Sequence, residues 1–270
     1  ACNVNGFQCA LKELVFEKVP KSVEMKHFLK EIHLIEKMDH PNIVRYLHHI
    51  WSPNSIRLFL TRYETSLRKE VRARGIDFDQ DDADPFSPSE ALGLLCDIAK
   101  GLHYIHGMNI IHRDLKSDNV FLEFGDKSGT WRAVIGDFDS AKRLTETTHT
   151  NTLVGTSNYI APEIMKMVFD KSNQSLSYTM QADIWSYAVI AYEILTLQLP
   201  YQSLPPYDAI SCIQKGEAPP IPPTPNGLPL PKDMELYQPI IDVIRACAVL
   251  VPTDRPNASE LCVMLNQYQQ

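Results

Sequence analysis

Nowhere in the 270 residues is there an apolar run of the kind that spans a bilayer, which takes about 18 or more residues with few charges. The two most apolar stretches, residues 184–197 and 240–251, carry Glu193 in one and Asp242 and Arg245 in the other. No secretory signal opens the chain. Basic residues are in deficit: 26 Lys and Arg against 33 Asp and Glu leave a net charge of -7, without the positive surface that a large nucleic-acid footprint requires. Six cysteines (Cys2, Cys9, Cys96, Cys212, Cys247 and Cys262) include no C-x-x-C pair, so neither a zinc site nor a disulfide framework is signalled. Reduced thiols in a cytoplasmic protein fit that spacing best. No internal repeat is present. With 44% hydrophobic and 22% charged residues, the chain has the composition of a soluble globular protein, and its length suits one domain or two packed lobes.

Hydrophobic periodicity places strands at residues 9–15, 43–48 and 55–62 and a helix over 23–38, stopped by Asp39-His40-Pro41. From Ser66 onward helices dominate. Ser87-Pro88-Ser89-Glu90 supplies an N-cap, a first-turn proline and an acidic first turn for a helix reaching about His106. Short strands are expected at 119–123 and 132–135. Residues 182–197 are apolar nearly all round, the mark of a buried central helix. The fold class is therefore α+β, with a small strand-rich part followed by a larger helical one. The acidic run 77–84 reads as a solvated loop, and the proline-rich span 219–231 as a surface connection.

The chemistry is concentrated in residues 111–119, I-H-R-D-L-K-S-D-N, followed after a strand-turn-strand by Gly136-Asp137-Phe138. This pair of motifs resembles the H-R-D-L-x-x-x-N and D-F-G signatures of eukaryotic-type protein kinases. A physical check agrees with the resemblance. Phosphoryl transfer needs little covalent work from a protein, so catalysis rests on positioning and on cations held against developing negative charge. By this resemblance Asp114 is the base that accepts the substrate hydroxyl proton, and Lys116 is the positive charge beside the transferred group. Asn119 and Asp137 offer the hard oxygens that magnesium prefers.

The resemblance extends over nearly the whole chain from Cys9 and implies a two-lobed fold, with residues 1–63 forming a partial N-lobe and 64–270 the C-lobe. Cys9-Ala10-Leu11-Lys12 is similar to the family's V-A-I-K strand, making Lys12 the phosphate lysine, and Glu31 stands where its helix partner is expected. Residues 40–44, H-P-N-I-V, follow that helix as they do in the family. Thr61 takes the gatekeeper position. Arg62, Tyr63 and Glu64 take the hinge, whose backbone bonds adenine, with Ala10 and Phe121 on either side of the ring. Glu163, in Ala161-Pro162-Glu163, is implied to pair with Arg255, and Asp183 to hold the catalytic-loop backbone. Lys116 and Thr156 match the serine/threonine pattern, in which both bond the catalytic aspartate. Cys247, Arg255, Trp185 and Tyr187 resemble the tyrosine-kinase-like branch. Arg113 is the residue that pairs with a phosphate on the activation segment in regulated members, and Thr152 best matches the phosphosite spacing.

Two departures stand out. No G-x-G-x-x-G precedes Lys12, so either the chain is an excerpt of a longer protein with other domains or its first lobe is degraded. The third D-F-G position is Asp139, where glycine would tolerate unusual backbone angles more cheaply. The expected activity is ATP- and magnesium-dependent phosphorylation of protein serine and threonine hydroxyls. The rival is a pseudokinase that keeps the fold and acts by docking; a small-molecule kinase comes third.

Overall fold

The computed structural model describes residues 2–4, 7–15, 29, 32–52, 54–75, 86–125, 129–143, 157–169, 178–201, 204, 206–215 and 234–268. Glu31, Thr152, Thr156, the acidic run 77–84 and the proline-rich span lie outside them.

Strands β1 (Cys2–Val4), β2 (Phe7–Val15), β3 (Tyr46–Ser52) and β4 (Ser55–Thr61) form one antiparallel sheet in the order β1-β2-β4-β3. The register sets Lys12 opposite Leu58 and Ala10 opposite Leu60. Residues 32–35 are helical, inside the span expected for the first helix. They bring the buried Ile32 onto Ile56 and Leu58 of the sheet. β1 also sets Cys2 opposite Cys9, and Cys9 is disulfide-bonded. The disulfide at Cys9 corrects the reading of six reduced thiols, since a spacing rule built on C-x-x-C does not register it. Cys96, Cys212, Cys247 and Cys262 are free.

The strand expected at 43–48 splits in two. Residues 42–44 leave the first sheet for the C-terminal part, where the Val44 N–H donates to Ile135 O at 2.7 Å and the Ile135 N–H to Asn42 O at 2.9 Å. β3 then begins at Tyr46. Residue pattern alone does not reveal which partner each half of the stretch pairs with.

After Thr61 the chain changes sheets. β5 (Thr65–Ser66) pairs with β7 (Val120–Gly125), which pairs with β8 (Thr130–Ile135). Helices α1 (Leu67–Gly75), α2 (Pro88–Gly107), α3 (Pro162–Phe169), α4 (Met180–Thr196), α5 (Pro206–Lys215), α6 (Gln238–Cys247) and α7 (Ala258–Asn266) make up the rest, with β6 (Ile110–Ile111) paired to β9 (Lys142–Arg143). The Ser87 hydroxyl accepts from the Glu90 N–H at 3.2 Å, so α2 starts where its cap chemistry places it. Every side chain of α4 from Ala182 to Thr196 is buried, which is what an all-round apolar helix requires. Leu197 ends it in the left-handed region at φ 57°. Among the described residues, no helix is long and apolar enough to cross a membrane.

Candidate active site

α2 delivers the chain through β6 into a loop whose shape is fixed by one buried carboxylate. Asp183, in the first turn of α4, accepts the His112 N–H at 2.8 Å, the Arg113 N–H at 2.9 Å and the His106 ring nitrogen at 2.9 Å. Two successive backbone donors reach one side chain because Arg113 adopts φ 67°, a strained angle for a residue with a β-carbon. Burial by itself would raise the Asp183 pKa, but the His106 hydrogen bond, the imidazoles of His106 and His112 and the backbone donor outweigh it and hold the group below the ordinary carboxylate value. His112 Nε2 donates to Gly136 O at 3.0 Å, and its ring lies 5.0 Å from that of Phe138. Phe138 thus packs against His112.

Within the loop, Lys116 Nζ donates to Asp114 Oδ2 at 2.8 Å. Asn119 Nδ2 donates to the same oxygen at 3.2 Å and to the Asp114 carbonyl at 2.8 Å. Three of the sequence candidates thus converge on one carboxylate, held in a single 3-10 turn over Ser117–Asn119 and the residues before it. The Gly136 N–H donates to Asn119 O at 2.9 Å, and this bond sets Asp137 beside the loop. A β-carbon at Gly136 would stand 2.5 Å from the Phe121 ring, so the approach of this strand end to β7 needs glycine.

Lys12 comes from β2 in the other sheet and reaches both acids of the 137–139 segment: its Nζ lies 3.1 Å from Asp137 Oδ1 and 2.5 Å from Asp139 Oδ1. The expected partner Glu31 lies outside the described residues. Asp139 behaves differently from what its glycine-like position suggests. The left-handed residue is Asp137, at φ 59°, and Asp139 is not among the described residues with positive φ. The substitution therefore acts through charge, by giving Lys12 a further carboxylate, and not through backbone strain. Nothing in the sequence announces that contact, because the two residues are 127 positions apart.

At the hinge, Thr61 closes β4 and its N–H donates to Arg45 O at 3.0 Å. The Arg62 guanidinium donates to Gln8 Oε1 at 2.7 Å, tying the segment back to β2. The Glu64 N–H is taken by Leu122 O at 3.1 Å. Tyr63 stacks on Phe121, with ring centres 5.9 Å apart and planes within 7°. Ala10 lies one strand away on β2. The hinge candidates therefore sit at the junction of the two sheets.

Arg113 turns its guanidinium toward Ser140 O, with Nε 2.6 Å away, and stands 5.2 Å from the Tyr178 ring. Thr152 and Thr156 lie outside the described residues. Further out, Arg255 forks onto Glu163 with two bonds of 2.8 and 2.7 Å, as the resemblance implies. Sequence reasoning misses Glu193, a carboxylate on α4 bonded to Arg68, Ser117 and Tyr159. The one signal is its presence in a segment otherwise apolar.

Among the described residues no cluster of three or more His, Cys, Asp or Glu side chains is placed to hold a metal by itself. Asn119 and Asp137 fit a different arrangement, in which a hard cation takes one or two protein oxygens and completes its shell with waters and phosphates.

Comparison with known proteins agrees with this geometry. The chain is 35% identical over 268 residues to "Kinase and exchange factor for Rac B" of Dictyostelium discoideum, covering 98% of the chain and 22% of that protein. It is 29% identical over 262 residues to "Serine/threonine-protein kinase STY17" of Arabidopsis thaliana, covering 96% and 40% respectively. With human "Serine/threonine-protein kinase Nek5" it shares 34% over 197 residues, or 72% of the chain and 25% of the relative. The chain thus spans less than half the length of each. The family model described as protein kinase domain matches residues 2–265, and on that match the chain belongs to the protein kinase domain family.

Proposed function

We propose that this domain transfers the γ-phosphoryl group of ATP to serine or threonine hydroxyls of protein substrates, with magnesium as the metal. One observation carries the reading: Asp114 is aimed by Lys116 and Asn119 in a loop that also bonds the segment bearing Asp137. Asp114 orients the acceptor hydroxyl and takes its proton. Lys116 holds that carboxylate in place and adds positive charge beside it. Asn119 and Asp137 would hold the divalent cation, which supplies charge neutralisation along the phosphates. Lys12 contacts the α- and β-phosphates. Since the Glu64 N–H is already donated to Leu122 O, the adenine-facing backbone falls to Arg62 and Tyr63, between Ala10 and Phe121 with Thr61 behind. Phosphorylated Thr152 pairs with Arg113 and raises activity. The domain works in the cytoplasm, within a longer protein carrying other domains, as the partial coverage of its relatives supports.

Radiolabelled ATP with a generic protein substrate tests this reading. Label is expected in phosphoserine and phosphothreonine after acid hydrolysis, lost with EDTA and restored by magnesium. Absence of transfer at saturating ATP and magnesium sinks the enzymatic reading and leaves a binding module in its place.

The binding-module alternative has one specific observation behind it, the hold of Asp139 on Lys12. Both side chains are partly exposed, 33% and 52%, so the pair is screened and worth at most about 1 kcal/mol. Such a pair competes with phosphate but does not exclude it. Asp139→Ala is expected to lower the KM for ATP about twofold to fivefold with kcat changed less. Steady-state kinetics against ATP decides it; an unchanged or raised KM shows that Asp139 does not compete for Lys12.

A further inference from the structure

A concave surface that shares no residue with the Asp114 site lies along the C-terminal half of α2. Lys100, His103, Tyr104 and Gly107 recur at spacings of three and four, so they share one face of that helix. The loop carrying His40 docks on this face. The His40 ring stacks on Tyr104 with centres 4.9 Å apart, and the Asp39 N–H donates to the Tyr104 hydroxyl at 3.0 Å. Between helix and loop lies a cavity of about 530 Å³, lined by His40, Lys100, His103, Tyr104, Gly107 and Met108. That volume falls within the roughly 300–1,000 Å³ of ligand sites. A β-carbon at Gly107 would meet nothing within 4 Å, so this side of the helix is open.

The lining favours one sign of charge. Three of its residues, His40, Lys100 and His103, carry nitrogen donors and none carries a carboxylate, in a chain whose net charge is -7. The Asn42 N–H donates to His40 Nδ1 at 3.1 Å, which places the ring proton on Nε2 and makes that atom a donor. Lys100 and His103 are exposed, and among the described residues neither side chain makes a hydrogen bond or an ion pair. Burial, followed by the charges of His103 and Lys100, holds the His40 pKa below the ordinary imidazole value against the pull of Asp39. An anion among these groups relieves that repulsion. Lys100 also borders a neighbouring cavity of about 320 Å³, but Asp97, Glu123 and Arg132 line that one and leave it no preferred sign.

We propose that the cavity between His40 and α2 is a recognition site for a phosphorylated serine or threonine side chain of a partner protein. A phosphate presents three strong acceptor oxygens, one for each of Lys100, His103 and His40, whereas a carboxylate has two. The cavity is larger than a phosphate group. Its remaining wall, formed by Tyr104, Gly107 and Met108, is largely apolar and suits the chain that carries the phosphate. None of these residues belongs to the phosphoryl-transfer machinery proposed above, so the assignment stands whether or not the domain is an enzyme.

Calorimetric titration of the full-length protein tests the assignment, in the presence of excess magnesium and a non-hydrolysable ATP analogue to occupy the nucleotide site. The probes are N-acetyl-phosphoserine amide, its unphosphorylated counterpart and inorganic phosphate. The phosphorylated amino acid is expected to bind at least about tenfold more tightly than the unphosphorylated one, and about threefold more tightly than phosphate. Lys100→Gln and His103→Gln each remove one donor at an exposed helix position and introduce a good helix former. Each is expected to weaken phosphoserine binding about tenfold, with the unfolding midpoint of the parent retained. Absence of phosphoserine binding overturns the proposal, as does binding that neither variant weakens. Equal affinity for inorganic phosphate and the capped phosphoserine overturns the assignment to a protein side chain and leaves a site for small phosphate ions.

Discussion

Asp114→Asn is expected to lower kcat by about a hundredfold to ten-thousandfold while the KM for ATP stays within a few-fold. The substitution preserves shape. An amide oxygen in the place of Oδ2 can still accept from Lys116 Nζ, which lies 2.8 Å away, and from Asn119 Nδ2 at 3.2 Å. The loop should therefore keep its conformation, anchored as it is by the three donors to Asp183. What disappears is the capacity to take a proton and the negative charge that orients the hydroxyl. The ATP contacts proposed for Lys12 and the hinge are untouched, which is why binding should survive. The residual rate reports positioning and charge neutralisation by the other groups. Steady-state kinetics at several ATP concentrations, with an unfolding midpoint as control, reads both effects. A loss smaller than tenfold, with the fold intact, would remove Asp114 from the role of base.

The largest effect on stability is expected at the pair of Arg255 and Glu163. The Arg255 side chain is wholly buried and Glu163 only 12% exposed, so the guanidinium depends on its partner and on the carbonyls of Val249, Gln181 and Leu250. Those carbonyls satisfy donors but do not neutralise the charge. Glu163→Gln removes the neutralising charge with little change of volume, and truncating one partner of a buried pair costs about 3–5 kcal/mol. Domains of this kind have about 5–15 kcal/mol in total, so the variant should be markedly less stable. Chemical denaturation is expected to show an earlier midpoint at an unchanged slope. Arg255→Lys should recover only part of the difference, because an ammonium does not make the two-pronged contact of 2.8 and 2.7 Å. A loss below about 1 kcal/mol for Glu163→Gln would mean that water or the carbonyl dipoles already neutralise Arg255.

Much of the site is legible in the sequence because its chemistry is local. Asp114, Lys116 and Asn119 fall within six residues, and a single tight turn is enough to bring them to one carboxylate. The start of α2 is legible for the same reason, since Ser87 caps a backbone amide only three residues ahead. β3 is misread where pairing is non-local: residues 42–44 and 46–52 are nearly continuous in sequence but bond to different strands. Asp139 stands out in the sequence as a departure, yet the backbone cost expected of it is not its consequence, because its effect lies in a lysine on another sheet.

What the sequence determined by itself was the family, the α+β class and the identity of the groups that cluster around Asp114, because residue type and short spacing limit the chemistry a loop can do. What only the tertiary structure decided was which distant charges meet. Lys12 with Asp137 and Asp139, and Glu193 with Arg68, Ser117 and Tyr159, are contacts between residues far apart in the chain. Their partners are selected by how sheets and helices pack, since a buried charge is tolerated only where the fold closes an opposite charge or a set of donors around it.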